Sequence, residues 1–303
     1  MTTCVSIILP SYNYARFLRE RIRSIISQSF SDFELIIVDD ASTDESLDII
    51  NEYAGRIRIK VIVHKINSGT VYQRWNEAAS QATGDWLWFP NADDGAHPRF
   101  LERLLDLIHR YPTAGIAYSR PMFMDETGCI TSVHSNWYSN AMTNLSGDYF
   151  SPGFKDLVFH TKGCYLTTAS SLLIRRDAFA TVGGFDTRLW GISDWDLYLK
   201  ILHRYDFVYT AEPLAYYRSH GSNTTKTTNN VIMNLSNACC IARAYQNMKD
   251  DIRYSNEAKA IVLRRVKSRV FDLFAAGDVN IPKAMQFAAD EIHQVVQDKR
   301  LLQ

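Results

Sequence analysis

Along the first 120 residues, short continuous apolar runs alternate with stretches whose apolar positions recur at helical spacing. Val5–Leu9, Phe33–Val38, Ile57–Val63, Trp86–Phe89 and Gly115–Tyr118 have the length and composition of buried strands. Tyr14–Ser27 carries Phe17, Ile22, Ile25 and Ile26 near a helical period, and Thr43–Tyr53, Arg74–Ala82 and Arg99–Arg110 read as further helices. Strands without inside–outside alternation, separated by helices, predict an α/β fold whose mostly parallel central sheet has helices on both faces.

The rhythm is lost between 120 and 165, where Gly, Ser, Asn and aromatics (Trp137, Tyr138, Tyr149, Phe150, Phe154) suit a binding loop over the sheet. It returns with a strand at Ser170–Ile174, the turn Gly183-Gly184-Phe185-Asp186, a helix over Asp196–Arg204, and strands at Phe207–Thr210 and Ala215–Arg218. From about Asn230 only helical periodicity remains, broken near Gly277 and Pro282. It predicts three helices, over 231–248, 254–275 and 281–299. The expected division is a domain over 1–225, with halves 1–120 and 121–225, followed by a helical appendage over 226–303.

Composition narrows the partners. The 303 residues contain 33 Lys plus Arg and 33 Asp plus Glu, so no global field favours nucleic acid. An anionic ligand has to be held by local arrangement. The odd count of five cysteines (Cys4, Cys129, Cys164, Cys239, Cys240), with no CxxC pair, argues against a disulfide framework or a zinc site. The apolar run before Pro10 is far shorter than the roughly 20 residues of a membrane span and too short for a signal peptide. The expected location is therefore a reducing cytoplasm, where the sequons at Asn144, Asn223 and Asn234 carry no meaning.

Two strands run into acidic clusters, Val38-Asp39-Asp40-Ala41-Ser42-Thr43-Asp44 and Phe89-Pro90-Asn91-Ala92-Asp93-Asp94. Ligands of open parallel sheets bind outside the carboxyl ends of strands. Ser42, Thr43 and Asp44 also fit a helix cap. Paired carboxylates repel unless a cation or donors offset them, and a divalent ion shared with diphosphate oxygens is one such offset. No G-x-G-x-x-G follows the first strand, where Pro10-Ser11-Tyr12-Asn13 stands, so a dinucleotide fingerprint is absent.

These residues resemble glycosyltransferase family 2, the inverting enzymes of GT-A fold. The likeness is carried by Val5-Ser6-Ile7-Ile8-Leu9-Pro10-Ser11-Tyr12-Asn13, Gln28-Ser29-Phe30, the run Phe33 to Asp44, Asn67-Ser68-Gly69 and Arg74-Trp75-Asn76. It continues through Gly84-Asp85, Asn91 to Asp94, Val182 to Asp186, Ser193-Asp194-Trp195-Asp196 and Tyr217-Arg218-Ser219-His220. Each piece alone is weak; in this order, over about residues 4–225, they form a specific set.

The resemblance implies a GT-A catalytic domain and a nucleotide-sugar donor, with uridine the default base. Pro10, Tyr12, Asp39 and Asp40 would surround the base, Asn67 would contribute to the donor pocket, and Arg74 would approach the diphosphate. Asn91-Ala92-Asp93 takes the place of the family's D-x-D motif, so Asp93 would bind Mg²⁺ or Mn²⁺, with His220 beside the metal or diphosphate and Asp94 either on the donor sugar or behind the residues that touch it. Asp194 matches the base, and Trp190 and Trp195 are candidates for stacking on a glycan or glycolipid acceptor. Asp196 reads as a first-turn acid stabilised by the helix dipole. Asn91 and Ser193 stand where the family usually has acids.

A carboxylate base contributes roughly 10²–10⁴ in rate, and one base opposite the leaving group implies inversion. The pathway implied is surface polysaccharide, lipopolysaccharide or glycolipid assembly. The tail, with Arg264, Arg265, Lys267 and Arg269, is read as packing against the catalytic domain or another copy, or as a basic face on anionic lipid. A catalytically silent nucleotide-sugar-binding or scaffold protein is the alternative, motivated by Asn91 and Ser193. A nucleotidyltransferase is disfavoured because Ser11-Tyr12-Asn13 provides neither Gly-rich loop nor Lys.

Overall fold

The computed structural model describes residues 4–54, 59–133, 147–221, 223, 230–275 and 283–297. Trp137, Tyr138 and Asn144 lie outside them. The described strands are β1 Val5–Ser11, β2 Phe33–Asp39, β3 Ile59–Val63, β4 Trp86–Trp88, β5 Gly95–Ala96, β6 Ala114–Met124, β7 Ile130–Val133, β8 Tyr149–Ser151, β9 Leu172–Arg175 and β10 Asp206–Arg218. The helices are α1 Ala15–Ile26, α2 Ser46–Tyr53, α3 Val71–Ala79, α4 Phe100–Arg110, α5 Gly153–His160, α6 Arg176–Thr181, α7 Ser193–Leu202, α8 Asn230–Met248, α9 Asn256–Ala275 and α10 Gln286–Val296.

All ten strands join one sheet in the order β3-β2-β1-β4-β9-β6-β10-β5, with β7 on β6 and β8 on β10. β3, β2, β1 and β4 are mutually parallel. β9 is inserted antiparallel to both β4 and β6, so β6 again runs with β1–β4. The continuous apolar runs explain the first half. Val5, Ile7 and Leu9 point to one face of β1 and Ile8 to the other, and all are fully buried. α1 covers the first face with Leu18, Ile22 and Ile25, and α4 adds Leu101, Leu104 and Ile108 to the same core.

Expected and observed elements differ where local chemistry overrides pattern. β10 is one strand through Pro213 rather than two, since residues before and after the proline still find partner strands. The short helix α6 after β9 was not expected, and α7 starts at Ser193 instead of Asp196. Part of the expected middle loop is ordered as β7, β8 and α5.

The chain forms two compact units. One contains residues 1–150, 165–184 and 207–220, and carries the sheet. The other gathers 151–164, 185–206 and 221–303, so the three C-terminal helices share a unit with α5 and α7. Within it α8 packs on α7, α9 and α10, and α5 packs on α7 and α9. All five cysteines lie among the described residues, and none is in a disulfide.

Gly84, just before β4, lies against the start of β1. Its N–H donates to Ser6 Oγ at 2.8 Å, and a Cβ there would stand 2.6 Å from the Ser6 nitrogen and 2.8 Å from the Val5 carbonyl carbon. Those are backbone atoms of a central strand and cannot swing away. Gly84→Ala is expected to lower unfolding free energy by about 1–3 kcal/mol, read by urea denaturation; wild-type stability would show that the strands separate without cost.

Candidate active site

The parallel register sets the strand ends side by side. Pro10 pairs with Val38 and Ser11 with Asp39, so Tyr12 and Asp40 stand just past neighbouring carboxyl ends. Ile7 pairs with Trp88 on the other side of β1, which brings in the segment from Phe89 to Asp94. Pro10 is half-buried and the Tyr12 ring is 44% exposed. The Asp40 N–H donates to Ser11 O at 2.8 Å, joining the two loops.

The first acidic cluster builds the loop itself. Asp39 is fully buried, and its carboxylate accepts the Ser42 N–H at 2.9 Å and the Ser42 hydroxyl at 2.6 Å. Ala41 within that turn has φ +67°, a left-handed conformation costly for a residue with a Cβ and held here by the surrounding bonds. Asn13, at φ 56°, accepts the Thr43 N–H on its side-chain oxygen at 2.7 Å. Of the three residues expected to cap, Asp44 does so: it accepts from Ser46 N–H at the start of α2 and from Ala15 N–H at the start of α1.

Asp40 and Arg74 are bound to each other. Arg74 Nε donates to Asp40 Oδ1 at 2.5 Å, while its other nitrogens reach Glu77 at 3.0 Å and Ile66 O at 3.1 Å. Ser68 adds its N–H and hydroxyl to the Asp40 carboxylate, the latter at 2.7 Å. Asn67 supports the same loop by donating to Asp40 O at 3.1 Å and accepting the Gly69 N–H at 2.7 Å. The guanidinium expected near a diphosphate is thus buried as the brace of Asp40.

The second cluster splits into two roles. Asp94, 1% exposed, accepts the Arg218 N–H at 2.9 Å on one oxygen, and the Thr168 hydroxyl at 3.0 Å and Asn91 Nδ2 at 3.3 Å on the other. Asp93, 8% exposed, turns the other way, and its Oδ2 lies 2.8 Å from His220 Nε2. Arg218 Nε donates to Asp93 O at 2.7 Å, and its far nitrogen meets Glu20 at 2.8 Å. His220 packs beside the rings of Phe17 and Tyr14, with centroids 5.1 and 6.1 Å away. The two metal candidates, 127 residues apart in sequence, are therefore in contact.

Charge is concentrated here. Burial first, and then the Asp94 charge, push the Asp93 carboxyl up to about 6, against the hydrogen bond from His220. Burial raises the Tyr14 phenol, and Asp93 and Asp94 add to it. Arg21, fully buried on α1, falls to about 10 through desolvation, opposed by the two aspartates. Asn91 suits this setting: its amide donates to Asp94, where an aspartate would add a third carboxylate. Ser193 is fully buried at the start of α7.

The remaining candidates belong to the helical unit. Asp194 is half-buried in the first turn of α7, and its Oδ1 accepts the Trp195 N–H at 2.9 Å. Trp190 is 44% exposed. Trp195 is corrected: it is 2% exposed and its indole donates to His160 O at 3.1 Å, so it is a core residue and offers no face to an acceptor. Asp196 is also more than a first-turn acid, being 1% exposed and ion-paired to Lys200 at 2.6 Å. Ser68, Thr168 and Arg218, which hold the site aspartates, received no role from sequence; Ser68 and Arg218 lie inside quoted motifs, whereas Thr168 has no local signal.

The model of the family described as Glycosyl transferase family 2 matches residues 6–183. A PGL/p-HBAD biosynthesis glycosyltransferase of Mycobacterium bovis is 30% identical over 196 residues, 64% of this chain and 68% of that protein. An uncharacterized glycosyltransferase of Haemophilus influenzae is 29% identical over 234 residues, 74% and 72% of the two chains. Among solved structures, S. aureus TarS 1-349 in complex with UDP-GlcNAc superposes with a TM-score of 0.73 at 16% identity, covering 98% of this chain and 83% of that one. Mannosyltransferase PcManGT from Pyrobaculum calidifontis, in complex with GDP-Man and Mn²⁺, gives 0.59 at 16% identity, covering 97% and 81%. These two likenesses concern the fold.

Asp94 holds three donors, and truncating it takes this acceptor from the buried Arg218 N–H and Thr168 hydroxyl. Asp94→Ala is expected to cost about 2–4 kcal/mol in urea unfolding; a midpoint equal to wild type would mean the carboxylate is not a structural latch.

Proposed function

The chain belongs to glycosyl transferase family 2 and is a glycosyltransferase of glycan biosynthesis, and from that premise we propose that it moves a sugar from a UDP-sugar to an acceptor hydroxyl with inversion at the anomeric carbon. The observation that carries this reading is the Asp93–His220 contact at a parallel strand end. It couples a buried carboxylate to an imidazole nitrogen beside the loops that would hold a nucleotide.

Among the described residues no group of three or more metal-ligating side chains occurs. Asp93 and His220 are two donors, and that number suits a cation that takes its remaining ligands from diphosphate oxygens and water. Mg²⁺ or Mn²⁺ bound there would stabilise the charge developing on the departing diphosphate. Asp94 and Arg218 fix the backbone that presents Asp93, while Phe17 and Tyr14 hold the imidazole ring. Asp40, braced by Arg74 and Ser68, retains about one of a carboxylate's roughly four acceptor positions for the imide N–H of a pyrimidine base. The UDP-GlcNAc held by the TarS neighbour supports a uridine donor.

On the acceptor side, Asp194 is the proposed base. It takes the hydroxyl proton as oxygen attacks the anomeric carbon and the bond to the diphosphate breaks. No carboxylate nucleophile is needed, so displacement occurs once and inverts. The 1–225 stretch would carry donor and acceptor, with Trp190 as the aromatic surface for a glycan or glycolipid. Among the described residues no helix is long and apolar enough to cross a membrane. We place the enzyme in the cytoplasm. Arg264 and Lys267 are exposed on α9 and offer a contact with anionic lipid, whereas Arg265 is turned inward to Val158 O and Thr161.

Asp93→Ala should abolish Mn²⁺-dependent binding of UDP in calorimetric titration, and an unchanged isotherm would remove Asp93 from the metal site. Asp194→Asn should cut turnover roughly 10²–10⁴-fold with donor affinity nearly unchanged. UDP release at close to the wild-type rate would exclude Asp194 as the base.

A further inference from the structure

The helical unit contains a charge cluster that the chemistry above leaves unused. Arg243 lies on α8, and its guanidinium is shared among three carboxylates. Nε and Nη2 donate to Glu291 of α10 at 2.5 and 2.9 Å. Nη2 also donates to Asp186, in the turn after Gly183-Gly184, at 3.0 Å. Nη1 lies 3.2 Å from Asp196 of α7, whose same oxygen is 2.6 Å from Lys200. Arg188 makes a two-pronged contact with Asp186, at 2.9 and 2.7 Å, and stacks over Phe287 of α10 at 4.4 Å. Three cations therefore meet three anions.

Burial makes this cluster directional. Asp196 is 1% exposed, and Arg243 and Asp186 side chains are 14% and 13% exposed. A carboxylate so placed is tolerable only while its cations stay in position. The planar fork of arginine can meet several acceptors at once along fixed directions, which a lysine cannot. Asp194 and Asp196 are two residues apart on α7, so they project about 200° from one another. Pinning Asp196 inward fixes the roll of the helix and with it the direction of Asp194 on the far side.

We infer that Arg243 is a positioning residue for the transfer reaction: through Asp196 and Asp186 it locks α7 in the rotation that aims Asp194. The inference rests on Asp194 being the base, yet its structural half stands separately. It also gives the C-terminal helices a task, since Arg243 and Glu291 both come from them. Without the guanidinium, Asp196 keeps Lys200 alone and α7 is free to roll until the carboxylate meets water. A displacement on the order of 1 Å at a reacting group is enough to cost about 10²-fold in rate.

The test uses the full chain with Arg243→Met, Arg243→Lys and Glu291→Gln. Hydrogen exchange should rise at least about tenfold in peptides spanning 186–202 of Arg243→Met, while peptides of β1 and β2 stay protected as in wild type. Arg243→Lys should recover part of that protection, and Glu291→Gln should loosen the same peptides less. Using the UDP-sugar that wild type hydrolyses fastest with Mn²⁺, kcat should fall about 10–100-fold in Arg243→Met with KM for the donor within about twofold. Wild-type exchange over 186–202 would overturn the inference, as would loosening spread equally over the sheet peptides, or loosening with unchanged kcat. If wild type hydrolyses no UDP-sugar, the proposed donor fails and the exchange pattern alone decides the lock; should Arg243→Met not fold, the other two variants give the same reading.

Discussion

An ionised carboxylate removed from water has to be answered by donors or by a cation, and the sheet unit is organised around that requirement at the end of β4. Asp93 and Asp94 follow each other there and are both buried. The neighbourhood answers them differently. Asp94 is met by three donors from Asn91, Thr168 and Arg218. Asp93 is left facing His220, with Arg218 attached to its carbonyl. One member is spent on holding backbone together, which leaves the other disposed toward chemistry. The long strand β10 serves both, because Arg218 is its last residue and His220 follows two positions later.

A similar division governs the loops after β1 and β2. Asp39 and Asp44 are consumed in local bonds that fix turn geometry and helix starts. Asp40 is oriented by Arg74 and Ser68. Acidic residues that look alike along the chain thus differ in what surrounds them, and burial with partner count separates supporting residues from reacting ones.

Much of the fold was legible because β1, β2 and β4 are continuous apolar runs bounded by polar turns, and α1 and α4 show a one-sided apolar stripe. Pattern misled where it carries little information. Phe207–Thr210 and Ala215–Arg218 were read as two strands, yet β10 runs through both and through Pro213. Asp196 was read as a first-turn acid answered by the helix dipole and Trp195 as a candidate stacking ring, while both are buried. In the site, the family resemblance assigned Asp93 and His220 to one metal, and the two side chains are in contact. Thr168 received no role, since a single threonine 74 residues from its aspartate leaves no trace in spacing. The Arg74–Asp40 pair escaped for another reason: sequence shows that a guanidinium and a carboxylate are present but not that each is the other's partner.

The helical unit is assembled from three separated stretches of chain. Arg243 follows Asp186 by 57 residues, and Glu291 comes 48 residues after Arg243. At a ribosomal rate of roughly 5–20 residues per second, Asp186 and Asp196 emerge with Arg188 and Lys200 but several seconds before Arg243, the cation they share. During that interval the stretch around α7 lacks the guanidinium that joins its two carboxylates to the last helices, and burying them is costly. Maturation of the protein is then timed by its own last helices.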